Sequence, residues 1–297
     1  MNRYKKIFSM SIVFCIVLFL SWNFYFKNSE NNSKNTFIGA ASNRSSSDNG
    51  TYVAFVEEAV RNYSVFENFK RHPHYTMILE HVSMDLGTGY LDVIKDQAPD
   101  FLADINKFKI NDLIGNPVKY SYPLIGEISP TTLRYMKVAS DLRKYFGKNI
   151  GKKIVEIGVG YGGQLLVADQ VFNFSEYHLY DLPPVLELTS RYLESHILNG
   201  SYKAMTLNQN SGNEVYDLVI SNYGFSELPL ALQKKYAEKI LSKATKGYLT
   251  MNTGLHNIPL MRKMLPPFQV FEEKPLSSPN NYIIVWGTDV KSDFKQN

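Results

Sequence analysis

Four glycines fall within six residues, directly after a short apolar run that contains an acid. The run covers residues 153–157 and its acid is Glu156. The glycines are Gly158, Gly160, Gly162 and Gly163. This pattern predicts a buried strand that turns sharply into a helix. Glycine lets a backbone approach a ligand closely, and the first N–H groups of a helix favour polar or anionic ligand groups. The stretch therefore predicts a nucleotide-binding turn.

Two ligand classes use such a turn. The dinucleotide fingerprint G-x-G-x-x-G is matched by Gly158, Gly160 and Gly163, and Asp181 follows at a distance suited to a ribose hydroxyl. The chain is also similar to S-adenosylmethionine-dependent methyltransferases, whose acid-x-G-x-G-x-G pattern is matched by Glu156, Gly158, Gly160 and Gly162. The acid favours the second class, because in that resemblance a carboxylate meets the cationic ammonium of the donor. A turn of this kind without any ligand is the remaining alternative.

Predicted strands and helices alternate around the turn. The strands are expected at 154–157, 177–180, 203–207, 218–221 and 248–251. Such alternation predicts a parallel sheet with helices on both faces. Two further strands, 268–273 and 282–286, are too close in sequence for a crossover helix and should form an antiparallel hairpin. The predicted fold is thus α/β, a doubly wound Rossmann-like methyltransferase sheet of five parallel strands plus a C-terminal hairpin. A dinucleotide-binding domain would instead continue to a sixth parallel strand.

The first 26 residues differ from the rest of the chain. Three basic residues precede an apolar run at 7–26, which is long enough to span a bilayer. This predicts a cytoplasmic stub and transmembrane signal anchor at 1–26, followed by a flexible stem at 27–50. The basic residues predict a single-pass type II protein of the Golgi with a lumenal catalytic domain. Six N-glycosylation sequons agree with that location.

The region 51–120 carries apolar residues at helical spacing and is predicted to be a helical cap subdomain. It would either pack against the sheet or form a lid over an acceptor pocket. Residues 121–297 would form the donor-binding domain. The net charge of +4 comes without a long Lys/Arg block, so composition gives no reason to propose nucleic acid.

Five segments resemble one family, the sugar O-methyltransferases. They read ISPTTLRY at 128–135, VEIGVGYGGQ at 155–164, YDLP at 180–183, ISNYGFSEL at 220–228 and KGYLTMN at 246–252. The resemblance covers about 120–286 and implies S-adenosyl-L-methionine as donor and a sugar hydroxyl as acceptor. Val159 stands where the family often has glycine.

The resemblance also implies roles at the carboxyl ends of the strands, where such sheets bind ligands. Glu156, with Gly158, Gly160 and Gly162, would hold the amino-acid part of the donor. Asp181 would accept hydrogen bonds from the ribose hydroxyls, or else cap the following helix. Asn208, with Gln209 and Asn210, would pair with the adenine edge, and Ser221, Asn222, Tyr223 and Asn252 would bind the donor or the sugar.

Methyl transfer to a hydroxyl also needs a base. Glu227 follows the fourth strand, where burial could raise the pKa of its carboxyl. His256 follows the fifth strand and titrates near neutrality without any shift. Each could equally have a structural role. No spacing typical of metal ligands is present, so the predicted reaction is independent of metal.

The predicted function is therefore a membrane-anchored O-methyltransferase that uses S-adenosylmethionine to methylate a sugar or glycan. The expected partners are that acceptor and, through the N-terminal helix, a membrane, with no nucleic acid. The alternatives are an NAD(P)-dependent oxidoreductase and a non-catalytic glycan-binding protein on the same fold. The oligomeric state is not predicted.

Overall fold

The computed structural model describes residues 50–292 and Phe294. The predicted anchor at 1–26 and the predicted stem as far as residue 49 lie outside the described residues. The membrane partner, topology and Golgi location that depend on them therefore stay predictions. Within 50–292, no helix has both the length and the apolar character needed to cross a bilayer.

Short helices form the region predicted as a cap. They are α1 (Thr51–Arg61), α2 (Tyr63–Phe66), α3 (Pro73–Thr76), α4 (Met84–Gln97), α5 (Pro99–Ala103) and α6 (Asn106–Lys109). One face of α1 is apolar because its buried residues recur at helical spacing, and this face packs against a later helix, Pro183–Glu194. A small antiparallel ribbon, β1 (Tyr120–Tyr122) and β2 (Gly126–Ile128), then leads into helix α7 (Pro130–Phe146).

The central sheet has seven strands. They are β3 (Lys153–Ile157), β4 (Glu176–Tyr180), β5 (Ser201–Met205), β6 (Tyr216–Asn222), β7 (Ala244–Met251), β8 (Gln269–Glu272) and β9 (Tyr282–Trp286). Their order across the sheet is β5-β4-β3-β6-β7-β9-β8. β3 to β7 run parallel, and β9 lies antiparallel between β7 and β8. The predicted five parallel strands and closing hairpin are confirmed.

Helices cover both faces of this sheet. They are α8 (Gly163–Asp169), α9 (Pro183–Glu194), α10 (Leu230–Lys239) and α11 (Ile258–Met264), together with α7. Side chains alternate along the central strand β3, so Ile154 joins the core that includes the cap, whereas Val155 and Ile157 join the opposite core with residues of α10 and α11. Because β3 is buried on both faces, its carboxyl end is held firmly within the sheet.

The turn after β3 brings two backbones into direct contact. Gly158 has a φ of +76°, and a Cβ built on it would lie 2.8 Å from the Cα of Gly224. Replacing Gly158 with alanine is therefore expected to lower the free energy of unfolding by about 2–5 kcal/mol, as the sum of left-handed strain and overpacking. Urea denaturation measures this change.

Gly212 provides the matched control for that substitution. Its φ is +82°, but an added Cβ would meet only Lys239 Cγ, at 3.9 Å. Gly212→Ala should therefore cost only the backbone strain, about 1–2 kcal/mol. Equal losses for the two variants would show that the contact between Gly158 and Gly224 adds nothing.

Candidate active site

A cavity of about 750 Å³ opens at the carboxyl ends of the parallel strands. The glycine turn and the ends of β4 and β6 form one wall. Residues 78–90 of the cap and residues 277–281 between β8 and β9 form another. Ligands of open α/β sheets bind at this position, where the strand order reverses on either side of β3. The helical region thus packs on the sheet and also covers the cavity.

Asp181 ties the glycine turn to the end of β4. Its Oδ2 accepts hydrogen bonds from the N–H groups of Val159 at 2.8 Å and Gly160 at 3.3 Å, and its Oδ1 accepts one from Leu182 at 2.7 Å. Burial raises the pKa of this carboxyl to about 6, although the three N–H groups act in the opposite direction. The N-cap of α9 is Leu182 rather than Asp181. Asp181 lines the cavity, so it organises the turn and faces the space for a ligand.

Glu156 lines the same cavity from the end of β3 and is only 2% exposed. Its Oε2 accepts a hydrogen bond of 2.9 Å from the hydroxyl of Tyr177. Burial raises the pKa of Glu156 to about 8; the Tyr177 hydroxyl opposes this shift and the charge of Asp181 adds to it. A cationic ligand group beside Glu156 would favour the ionised form.

The raised pKa of Glu156 predicts a pH dependence of stability. A carboxyl whose pKa rises from 4.5 to about 8 on folding stabilises the folded state fully below pH 4.5, and this contribution is lost as the pH rises towards 8. The free energy of unfolding should therefore fall, relative to that of Glu156→Gln, by up to roughly 1.4 kcal/mol per pH unit in this window. Urea denaturation at pH 5.5 and pH 8 without ligand tests this.

Glu187→Gln is the control, since it removes an exposed acid that does not line the cavity. The difference between this variant and the wild type should stay constant over the same window. An equally constant difference for Glu156→Gln would contradict a buried, protonated Glu156.

The remaining predicted donor-binding residues divide into two groups. Asn208 and Asn222 line the cavity, as do Gly158 and Gly160. Ser221 does not, because its buried hydroxyl donates to the carbonyl of Ile157 at 2.7 Å and accepts from the N–H of Phe225 at 2.9 Å. Gly162 does not line the cavity either; it forms the left-handed N-cap of α8. These two residues shape the turn without lining the cavity, so no contact with a ligand there is proposed for them.

The two predicted bases, Glu227 and His256, differ in their position relative to the cavity. Glu227 lines the cavity, and its Oε1 accepts a hydrogen bond of 2.9 Å from the side-chain amide of Asn252. His256 lies exposed in the 3-10 turn Leu255–Asn257 and does not line the cavity. Its position after β7 suggested a site residue, but its side chain is exposed outside the cavity. Glu227 therefore stays the predicted base at the cavity, and no role there is proposed for His256.

Tyr223 and Arg134 also line the cavity, and of these two only Arg134 was given no role from the sequence. Tyr223 has a φ of +67°, which is strained for an aromatic residue. Its hydroxyl hydrogen-bonds to the buried carboxylate of Glu273 and lies 3.0 Å from Ser277 Oγ. Arg134 lines the cavity from α7 and is 9% exposed. Both belong to segments that carried the family resemblance, but their partners are too distant in sequence to be read from it.

Neither a family model nor a curated protein sequence matches the chain. Similar solved structures include a precorrin 8w decarboxylase of Methanobacterium thermoautotrophicum, with a TM-score of 0.40 and 15% identity over 52% of this chain and 90% of that one. A tRNA (uracil-54, C5)-methyltransferase of Pyrococcus abyssi, in complex with S-adenosyl-L-homocysteine, has a TM-score of 0.37 and 16% identity over 54% and 41%. A 16S rRNA N2 methyltransferase of T. thermophilus, in complex with AdoMet and guanosine, has a TM-score of 0.39 and 18% identity over 57% and 45%. At these identities the likeness is one of fold.

These comparisons correct the expected partners. The sequence predicted a sugar or glycan acceptor and no nucleic acid, whereas several of the similar structures are methyltransferases of RNA. That prediction is contradicted, and the sugar acceptor is not carried further. The donor predicted from the sequence is the one that two of these structures contain as itself or as its product.

Proposed function

We propose that this chain is an S-adenosylmethionine-dependent methyltransferase that acts on an oxygen nucleophile. The observation that carries the proposal is the position of Asp181, whose carboxylate accepts from the N–H groups of Val159 and Gly160. A bound pyrophosphate needs the N–H groups of this turn. Here they already serve a carboxylate, and Glu156 adds a second acid to the same cavity. The turn thus favours a cationic ligand over a dinucleotide.

The described residues fit such a donor. Glu156 would meet its ammonium group, and the side-chain oxygen Oδ1 of Asn222 is buried without a hydrogen-bond partner among the described residues. Asp181 would accept from the ribose hydroxyls. Asn208 and Leu207 line the cavity beside Tyr236 of α10, where an adenine ring would find both apolar and polar contacts.

The donor supplies an electrophilic methyl group on a sulfonium. Glu227 would take the proton of the acceptor hydroxyl as the new bond forms, which is the role of a general base. The amide of Asn252 holds Glu227 by its Oε1. The cap residues Ile78, Val82 and Leu86 line the same cavity and would exclude water from it.

An NAD(P)-dependent oxidoreductase remains the competing function. The sequence match to its glycine fingerprint favours it, but the hairpin β8–β9 stands where a sixth parallel strand would lie. Tight binding of a dinucleotide with no binding of S-adenosylmethionine would establish this alternative.

The transfer itself can be tested with the purified full chain and methyl-labelled S-adenosylmethionine. The acceptor panel should contain RNA and small hydroxyl compounds, with and without anionic groups, and mass spectrometry should follow the products. We expect one class to gain a methyl group. If the donor binds but no acceptor of the panel gains the labelled methyl group, the proposed methyltransferase activity on these acceptors is contradicted.

A further inference from the structure

The guanidinium of Arg134 is buried beside the cavity without an acidic partner. Arg134 is 9% exposed, and within residues 50–292 no carboxylate lies within 4.0 Å of it. Its Nη2 donates to the carbonyl oxygen of Leu79 at 3.1 Å. Its Nε is buried and makes no hydrogen bond within the described part of the chain. A buried charge left in this state is costly unless a ligand compensates it.

Other cations of the same helix do have acidic partners. Lys137 Nζ lies 2.7 Å from Asp141 Oδ2, and both side chains are at most 5% exposed. Arg143 donates from Nη1 and Nη2 to the two carboxylate oxygens of Asp100, at 2.7 and 2.6 Å. Acidic side chains are therefore available around α7, and Arg134 differs from its neighbours in having none as a partner. The difference is that Arg134 lines the cavity, whereas Lys137 and Arg143 do not.

Glu80 is the acid whose charge acts on Arg134, but it forms no ion pair with it. Burial raises the pKa of Glu80, although the charges of Lys70 and Arg134 and a hydrogen bond with Thr131 lower it. Its Oε1 is itself buried without a partner. No carboxylate is therefore at bonding distance from the guanidinium, and Arg134 lines the cavity with its Nε unpartnered among the described residues.

We propose that Arg134 binds an anionic group, a carboxylate or a phosphate, of a molecule held in the cavity. The inference deepens the proposed function, on which it rests. The unpartnered Nε would donate to one oxygen of the anion, and the rest of the anion would lie in the cavity. Two molecules carry such a group: the donor, through its own carboxylate, or the acceptor.

Calorimetric titration of the full chain separates the two sources. The wild type and Arg134→Gln are each titrated with S-adenosylmethionine and with its decarboxylated analogue, which lacks only the carboxylate. If Arg134 binds the donor, the variant should lose about 10- to 100-fold in affinity for S-adenosylmethionine and almost nothing for the analogue. Arg134→Lys keeps the charge but loses the planar guanidinium. Its affinity for S-adenosylmethionine should lie between those of the wild type and Arg134→Gln.

If Arg134 binds the acceptor instead, both donor forms should bind the variant and the wild type equally. Phosphate or acetate should then raise the unfolding temperature of the wild type and not that of Arg134→Gln. Arg143→Gln, which removes a cation paired outside the cavity, is the control and should respond to these anions as the wild type does. Unchanged donor binding together with an unchanged response to anions would overturn the proposal.

The stability of the unliganded variant distinguishes binding from a structural role. Removal of an uncompensated buried charge should leave the unfolding temperature of Arg134→Gln equal to or above that of the wild type. A large decrease, with equal loss of binding for both donor forms, would assign Arg134 to the packing and overturn the proposal.

The failure of this inference is distinct from that of the proposed function. If the wild type bound neither donor form but phosphate still stabilised it through Arg134, the methyltransferase proposal would fail and the anion site would stand. If the wild type bound the donor and Arg134→Gln changed neither donor binding nor the response to anions, the anion site would fail and the methyltransferase proposal would stand.

Discussion

Glu227→Gln is expected to lower kcat for methyl transfer by about 10²–10⁴-fold, because the amide cannot take the proton of the acceptor. The affinity for the donor should change little, since Glu227 is proposed to act on the acceptor. Single-turnover kinetics with the acceptor found by the panel would measure the effect. His256→Ala is the matched control, because His256 was the other predicted base and lies outside the cavity.

A Glu227→Gln variant with the activity of the wild type would contradict this assignment. The buried carboxylate of Glu273 would then be the next candidate, because it hydrogen-bonds to the hydroxyl of Tyr223, which lines the cavity. Glu273 also accepts from the N–H of Ser277 at 2.9 Å and from its Oγ at 2.8 Å. Glu273→Gln would distinguish the two carboxylates in the same assay.

Asp181→Asn is expected to weaken the binding of S-adenosyl-L-homocysteine by about 10- to 100-fold, the range for a lost hydrogen bond to a charged group. The substitution removes the carboxylate that both holds the turn and would meet the ribose. Equilibrium titration with the full chain measures the affinity.

Asp217→Asn is the control for Asp181. The Oδ2 of Asp217 also accepts from two consecutive N–H groups, those of Lys152 at 2.7 Å and Lys153 at 2.9 Å, but Asp217 does not line the cavity. It should lose stability without losing affinity. Equal affinity losses for both variants would mean that the effect at Asp181 is one of stability alone.

The sheet was predictable because its determinants are local. Apolar runs, glycine turns and the short connection before Tyr282–Trp286 all lie in continuous segments, and they indicated the five parallel strands and the hairpin. Element ends were less accurate. β7 begins at Ala244 rather than at 248, since the preceding helix ends at Lys239 and a 3-10 turn follows. The ribbon β1–β2 was missed, because strands of three residues carry almost no periodic pattern.

The site was only partly predictable. Glu156 and Asp181 follow from their positions at strand ends, and the structure brings both to one cavity. Ser221 and His256 also occupy such positions, but the direction of a side chain there depends on the turn that follows. The position of Arg134 at the cavity could not be predicted from the sequence for another reason. Its surroundings come from the cap, whose docking is set by contacts far apart in sequence, such as that with the carbonyl of Leu79.

The central claim is that the glycine turn binds an S-adenosyl amino acid, with its ammonium group beside Glu156, rather than a dinucleotide. Isothermal titration of the full chain with S-adenosyl-L-homocysteine and, separately, with NAD tests it most directly. We predict saturable binding of S-adenosyl-L-homocysteine that weakens in Asp181→Asn and not in Asp217→Asn, and no binding of NAD. Binding of NAD alone, or binding of neither ligand, would contradict the account.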